Sequence, residues 1–256
     1  MVIAITTITF TSLSLESNIR HYFVLLTLNI TAAIASTLGI IAIIRYGLYG
    51  LHGKSYLFLT LGIICWFLAD FIVTYYYLVG GNEEELEVVS IMDGFWFIGY
   101  VFLSLHLFII IKHLRREINN KIVIIISILT VLFVIYNVIS ILSSEFVIDE
   151  KFISIVISLL YPILDLILIA PSAIILVCLR KDYQQSIPWF LSSLSLFINA
   201  IADDGYVIDL INGNSHNLWI WEIFYIADFI IMSGALFWYN KFHVSHHQKK
   251  MYLGKS

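Results

Sequence analysis

Residues 122–142 read IVIIISILTVLFVIYNVISIL. The stretch carries no charged side chain, and its apolar residues fall on every face of a helix. At 1.5 Å per residue it is long enough to cross about 30 Å of hydrocarbon. A transmembrane barrel strand would instead alternate over about ten residues. The stretch therefore predicts a membrane-spanning helix. Six further apolar runs of comparable length surround it, at 22–44, 55–79, 88–111, 152–179, 187–211 and 218–239. Numbered in chain order as segments 1–7, with 122–142 as segment 4, they predict an all-α polytopic membrane protein with seven transmembrane helices.

Composition agrees. Of 256 residues, 60% are apolar and 12% charged, against about 45–50% and about 25% in soluble domains. Mean hydropathy is +0.93. A soluble globule could not cover so much apolar surface with so few charges, and disorder, collagen and a coiled coil are excluded by the same figures. The net charge of −4 does not point to nucleic acid. Cys65 and Cys178 both lie in apolar runs, so neither a disulfide framework nor a zinc motif is expected. The first twenty residues lack a basic n-region and a clear cleavage site, and read as a Thr/Ser-rich tail.

Orientation follows from the basic residues. Arg45 and Lys54 follow segment 1; Lys112, Arg115, Arg116 and Lys121 follow segment 3. Arg180 and Lys181 follow segment 5, and Lys241, Lys249, Lys250 and Lys255 follow segment 7. Only Arg20 and Lys151 fall on the other side, among Glu83, Glu84, Glu85, Glu87, Glu145, Asp149 and Glu150. The rule places the N-terminus outside and the C-terminus in the cytoplasm, in a multi-pass protein of the cell membrane. Segment 7 contains no lysine, so a retinal Schiff base is not expected.

An internal repeat is also legible. Segments 2–3 read Ala69-Asp70, Gly80-Gly81-Asn82, then Asp93-Gly94-Phe95-Trp96 and Lys112. Segments 6–7 read Ala202-Asp203, Asn212-Gly213-Asn214, then Glu222-Ile223-Phe224-Tyr225 and Lys241. The Ala-Asp pairs lie 133 positions apart and the later residues 129 apart. Segments 1–3 and 5–7 thus read as two parallel copies of a three-helix unit around segment 4, a 3+1+3 order whose sites form between the repeats. The chain divides into an N-terminal extracytoplasmic tail (1–21), a membrane domain (22–239) and a basic cytoplasmic tail (240–256). Within the membrane domain, repeats 22–113 and 152–242 flank the linker helix 122–142.

The chemistry lies in carboxylates within the segments: Asp70, Asp93, Asp165, Asp203, Asp204, Asp209, Glu222 and Asp228. Each costs roughly 2.5–3.5 kcal/mol at a helix centre, so such groups face a bundle interior or a wet cavity. Counted from the helix ends, they converge on the outward half. Asp93, Asp209 and Glu222 also fit plain interfacial caps. Asp203 and Asp204 are about 100° apart on a helix, and Asp203, the counterpart of Asp70, is expected to face inward. No basic residue within the segments pairs with these acids. They are expected to be protonated, to bind a cation or to line water, with Asn137, Asn199, His106, Ser195, Tyr75, Tyr76, Tyr77, Tyr100, Tyr161, Tyr206 and Tyr225 as neutral partners.

Trp96 and Tyr225 adjoin the acids and could wall a cationic or amphipathic ligand. The candidate ligand-binding set is therefore Asp70, Asp93, Trp96, Asp165, Asp203, Glu222, Tyr225 and Asp228. The metal and the cofactor stay unassigned. His106 reads as a satisfied core histidine, and His243, His246 and His247 as part of a basic anchor. Pro162 and Pro171 are expected to loosen segment 5 around Asp165.

Three stretches carry a resemblance. They are Asp70 through Asp93-Gly-Phe-Trp-Phe-Ile-Gly99-Tyr100; Tyr161-Pro162-Ile-Leu-Asp165-Leu; and Ala202-Asp203 followed by Glu222-x-Phe-Tyr. Together they resemble the seven-helix membrane sensory module found ahead of diguanylate cyclase and phosphodiesterase (GGDEF/EAL) and histidine kinase domains. The resemblance implies signal reception in the membrane. About 17 residues follow segment 7, so output is expected through a cytoplasmic signalling partner or other subunits of a membrane complex. Leu68-Ala69-Asp70 with Gly99-x-x-Phe102-x-x-x-His106-Leu107 is also similar to lysoplasmalogenases, which implies an acid–base lipid hydrolase. The 3+1+3 order looks like that of small sugar transporters, but their Pro-Gln signature is missing. An accessory subunit is the remaining alternative. The sequence favours a non-enzymatic receptor with an outward-facing acidic cavity.

Overall fold

The computed structural model describes residues 1–48, 50–79, 91–116, 118–143, 152–179 and 183–244. Several expectations lie outside these residues: the Gly80-Gly81-Asn82 turn, the loop acids 83–87, 145, 149 and 150, and Lys151, Arg180, Lys181, His246, His247, Lys249, Lys250 and Lys255. The described chain is helical, with no strand. Its helices are α1 (Val2–Ser14), α2 (Ser17–Tyr46), α3 (Gly50–Leu78), α4 (Ile91–Leu114), α5 (Asn120–Leu142), α6 (Phe152–Cys178), α7 (Tyr183–Ile211) and α8 (Leu218–Trp238), the last running on into a π-helical turn, Tyr239–Val244. Segments 1–7 are α2–α8.

Six of these helices, α2–α6 and α8, are long and apolar enough to cross a membrane. The seventh expected span, α7, has the length at 29 residues but carries Asp203, Asp204 and Asp209. Their exposure pattern also fits a lipid environment. On α4, Ile98, Val101, Leu105 and Phe108 form an outward stripe, each 38–57% exposed. On α5 only Thr130, Val134, Asn137 and Ile141 are buried. Large apolar residues exposed in such continuous bands need a nonpolar solvent.

Helix ends follow ordinary rules. Asn119 caps α5 by accepting from Lys121 N at 2.9 Å. Gly47 closes α2 at φ 82°, its N–H donating to Ile43 O at 2.8 Å, and Gly213 turns the α7–α8 connection at φ 70°.

The first twenty residues differ from the tail read in the sequence. Val2–Ser14 is a helix packed on α8 and α2. Its Thr6, Thr7, Thr9, Thr11 and Ser12 hydroxyls donate to carbonyls one turn back, at 2.8–2.9 Å, which hides their polarity within the helix. Arg20 closes its C-terminus through Ser12 O (2.7 Å) and Leu15 O (2.9 Å) and lies over the Trp219 ring.

The helix neighbours trace a closed ring: α2–α3, α3–α4, α4–α6, α6–α7, α7–α8 and α8–α2. α5 stands outside it, against α6 and α7, and α1 lies against α8. Within the ring, Gly99 on α4 packs against Trp66 and Gly62 on α3. A Cβ there would lie 2.3 Å from Trp66 Cδ1, so only glycine leaves room for that indole.

Candidate functional site

One half of the ring holds a partly open cavity of about 340 Å³. All six ring helices line it. Leu25 and Leu28 come from α2; Trp66, Asp70 and Val73 from α3; Asp93, Trp96 and Tyr100 from α4. Tyr161 comes from α6; Asn199, Asp203, Tyr206, Val207 and Leu210 from α7; Glu222, Tyr225 and Phe229 from α8. None of these residues is basic. The half concerned contains the N-terminal ends of α2, α4, α6 and α8 and the C-terminal ends of α3 and α7. The other half is packed with rings: Tyr56 stacks on Tyr239 at 3.7 Å and His52 on Trp189 at 5.0 Å.

Six of the eight candidate residues, Asp70, Asp93, Trp96, Asp203, Glu222 and Tyr225, face this cavity. Ring donors hold the carboxylates against its wall. Trp96 Nε1 donates to Asp70 Oδ1 at 3.3 Å, Tyr161 Oη to Asp93 Oδ1 at 2.8 Å, and Tyr225 Oη to Asp203 Oδ1 at 2.6 Å. Trp96 and Tyr225 stand 129 positions apart in the sequence, and Asp70 and Asp203 stand 133 apart.

Asp165 and Asp228 do not line the cavity. Asp228 is 1% exposed and lies between α7 and α8, where Ser195 Oγ and Asn199 Nδ2 donate to it. Asp165 is fully buried on α6 and reaches the site through Tyr100, whose hydroxyl oxygen is 2.6 Å from Asp165 Oδ1 and 2.5 Å from Asp203 Oδ2. A phenol has one proton. Both contacts are hydrogen bonds only if a carboxyl supplies a second. Tyr100 thus links the two carboxyl groups in one hydrogen-bonded chain, Asp165–Tyr100–Asp203, which joins α4, α6 and α7.

Other acids lie elsewhere. Asp204 turns away from the cavity, and Asn137 on α5 donates to it at 2.7 Å. Asp209 accepts from Trp221 Nε1 (2.6 Å) and Asn214 Nδ2 (3.3 Å) and so clasps the α7–α8 turn. His106 is buried, with Ser55 Oγ 2.8 Å from Nδ1 and Ser192 Oγ 3.3 Å from Nε2, which ties α4 to α3 and α7. Among the described residues, no three His, Cys, Asp or Glu side chains cluster to hold a metal ion.

Sequence reasoning left Trp66, Tyr100, Tyr161, Asn199 and Tyr206 outside the candidate set. Several lining positions stand at the two sequence offsets. At 133 these are Leu28 and Tyr161, Trp66 and Asn199, Asp70 and Asp203, and Val73 and Tyr206. At 129 they are Asp93 and Glu222, Trp96 and Tyr225, and Tyr100 and Phe229. No family profile, curated protein or solved structure matches the chain.

Proposed function

We propose that the protein is a membrane receptor module that binds a small cationic ligand in the acid-walled cavity and reports occupancy by a shift of the ring helices. In this reading α2–α8 all cross the cell membrane, with α7 protected from lipid on its polar face by α6, α8 and α5. The N-terminal end of α2 is outside, so the cavity faces outward, as the distribution of basic residues indicates. The two triplets α2–α4 and α6–α8 are parallel repeats. Their ring contacts match one for one, α4–α6 answering α8–α2, and the matched lining positions put the cavity on the axis between them.

The observation that carries the reading is a cavity with four carboxyl groups and no basic side chain among the described residues of its lining. Low-dielectric walls focus such a field and raise local cation concentration. Packed aromatic rings in the opposite half support a one-sided pocket over a transport path.

The reading is tested by thermal unfolding in nanodiscs across inorganic cations and organic amines. Wild type is expected to gain stability with at least one cation, and the Asp70→Asn/Asp203→Asn double variant to gain none. Equal gains in both, or none in either, would count against it.

A further inference from the structure

Resting on the receptor reading, we infer that the cavity is built for a protonated primary or secondary amine attached to an apolar or aromatic body. The case turns on what the wall still lacks. Five of its six ring donors, all but Tyr206, have hydrogen-bond acceptors in the protein: Trp66 Nε1 with Trp96 O at 3.2 Å, Trp96 with Asp70, Tyr161 with Asp93, and Tyr100 and Tyr225 with Asp203. The remaining capacity is for donors.

Asn199 is the sharpest instance. It is 5% exposed and lines the cavity. Its Nδ2 donates to Asp228 Oδ2 at 3.1 Å, which fixes the amide so that Oδ1 is its acceptor end. That oxygen is buried and has no hydrogen-bond partner among the described residues. An unfilled buried acceptor is costly, and a ligand N–H that reaches it from the cavity would fill it. Asn199 and Asp203 are four residues apart on α7, so they share a helix face one turn apart. A neutral acceptor beside a carboxylate suits an ammonium that still has N–H groups. A quaternary ammonium has none to offer.

Metal ions are disfavoured because no three His, Cys, Asp or Glu side chains gather in one cluster among the described residues. Anions are opposed by the acids. The pairing of the two halves also orients the ligand. At the position where the C-terminal half has Asn199, the N-terminal half has Trp66. The ammonium therefore lies toward α7, and the carbon body against Trp66, Trp96 and Phe229.

The test compares three probes of one shape, 2-phenylethylammonium, its N,N,N-trimethyl analogue and 2-phenylethanol, by equilibrium binding to the full chain in nanodiscs. Trp fluorescence is the readout, with thermal shift as a second. The primary ammonium is expected to bind at least about tenfold tighter than either analogue, since one lost hydrogen bond to a buried acceptor is worth roughly a tenfold change. Asn199→Leu is expected to erase the preference over the trimethyl form. Asn199→Gln, which restores an amide, covers the case in which the leucine variant fails to fold. Equal binding of primary and quaternary forms would overturn the inference and leave the receptor reading intact. Preference for the neutral alcohol, or no binding by any probe, would overturn the inference; if inorganic cations also fail to stabilise the protein, the receptor reading falls with it.

Discussion

Tyr100→Phe is expected to destabilise the protein by about 2–3 kcal/mol, more than an interhelical hydrogen bond in a membrane normally contributes, about 0.6 kcal/mol and at most ~1.7. The excess arises because one oxygen serves two buried carboxyl groups, Asp165 and Asp203. Removing it leaves Asp165 without that partner inside the bundle, where an unsatisfied group costs about 1–3 kcal/mol by itself. Asp165→Asn should cost far less, below about 1 kcal/mol, because an amide can either donate to Tyr100 or accept from it. The pair of variants is informative together. Reversible unfolding in mixed micelles would give both values. If Asp165→Asn is as damaging as Tyr100→Phe, the shared Tyr100 hydroxyl is not the source of the excess.

Gly99→Ala is expected to have the second large effect, about 1–3 kcal/mol, as overpacking of a tight contact does. The new methyl would lie 2.3 Å from Trp66 Cδ1 and 2.5 Å from Trp66 Nε1. Trp66 is 4% exposed, sits edge-on to Tyr100 at 5.4 Å and cannot move without disturbing the cavity wall. Ligand affinity should therefore fall along with stability. Trp66→Phe in the same background, with a smaller ring, should recover part of the loss. Additive effects of the two substitutions would show that the contact does not constrain the helices, since residues in direct contact are expected to couple.

How far the sequence foretold this arrangement depended on the physical signal. Long charge-free runs such as 122–142 specify a helix in lipid almost unaided, because no other backbone satisfies its polar groups there. Segment ends were less legible. α2 begins at Ser17, before the apolar run starts, because Arg20 turns its charge onto the end of α1. That helix was itself hidden by its threonines, whose hydroxyls bond within it. At the site, the contrast between Asp203 and Asp204 followed from helix geometry: Asp203 lines the cavity and Asp204 meets Asn137. The positions of Asp165 and Asp228 did not follow. Depth along a helix says how far a residue is from the surface, not which neighbour it meets, and both acids lie behind the wall. Tyr100 and Asn199 were visible as polar residues, yet their roles depend on contacts between α4, α6, α7 and α8 that no local pattern encodes.

The central claim is a negatively charged, water-accessible cavity that opens on the outer face. Leu210 lines it and is 44% exposed, so a Leu210→Cys variant in a Cys65→Ala/Cys178→Ala background places one thiol at its edge. Labelling rates with membrane-impermeant thiosulfonates of opposite charge measure the claim directly. The account predicts that the cationic reagent reacts at least about tenfold faster than the anionic one, from the outer side alone, and that raising salt narrows the gap. Equal rates for the two charges, or labelling only from the cytoplasmic side, would contradict it.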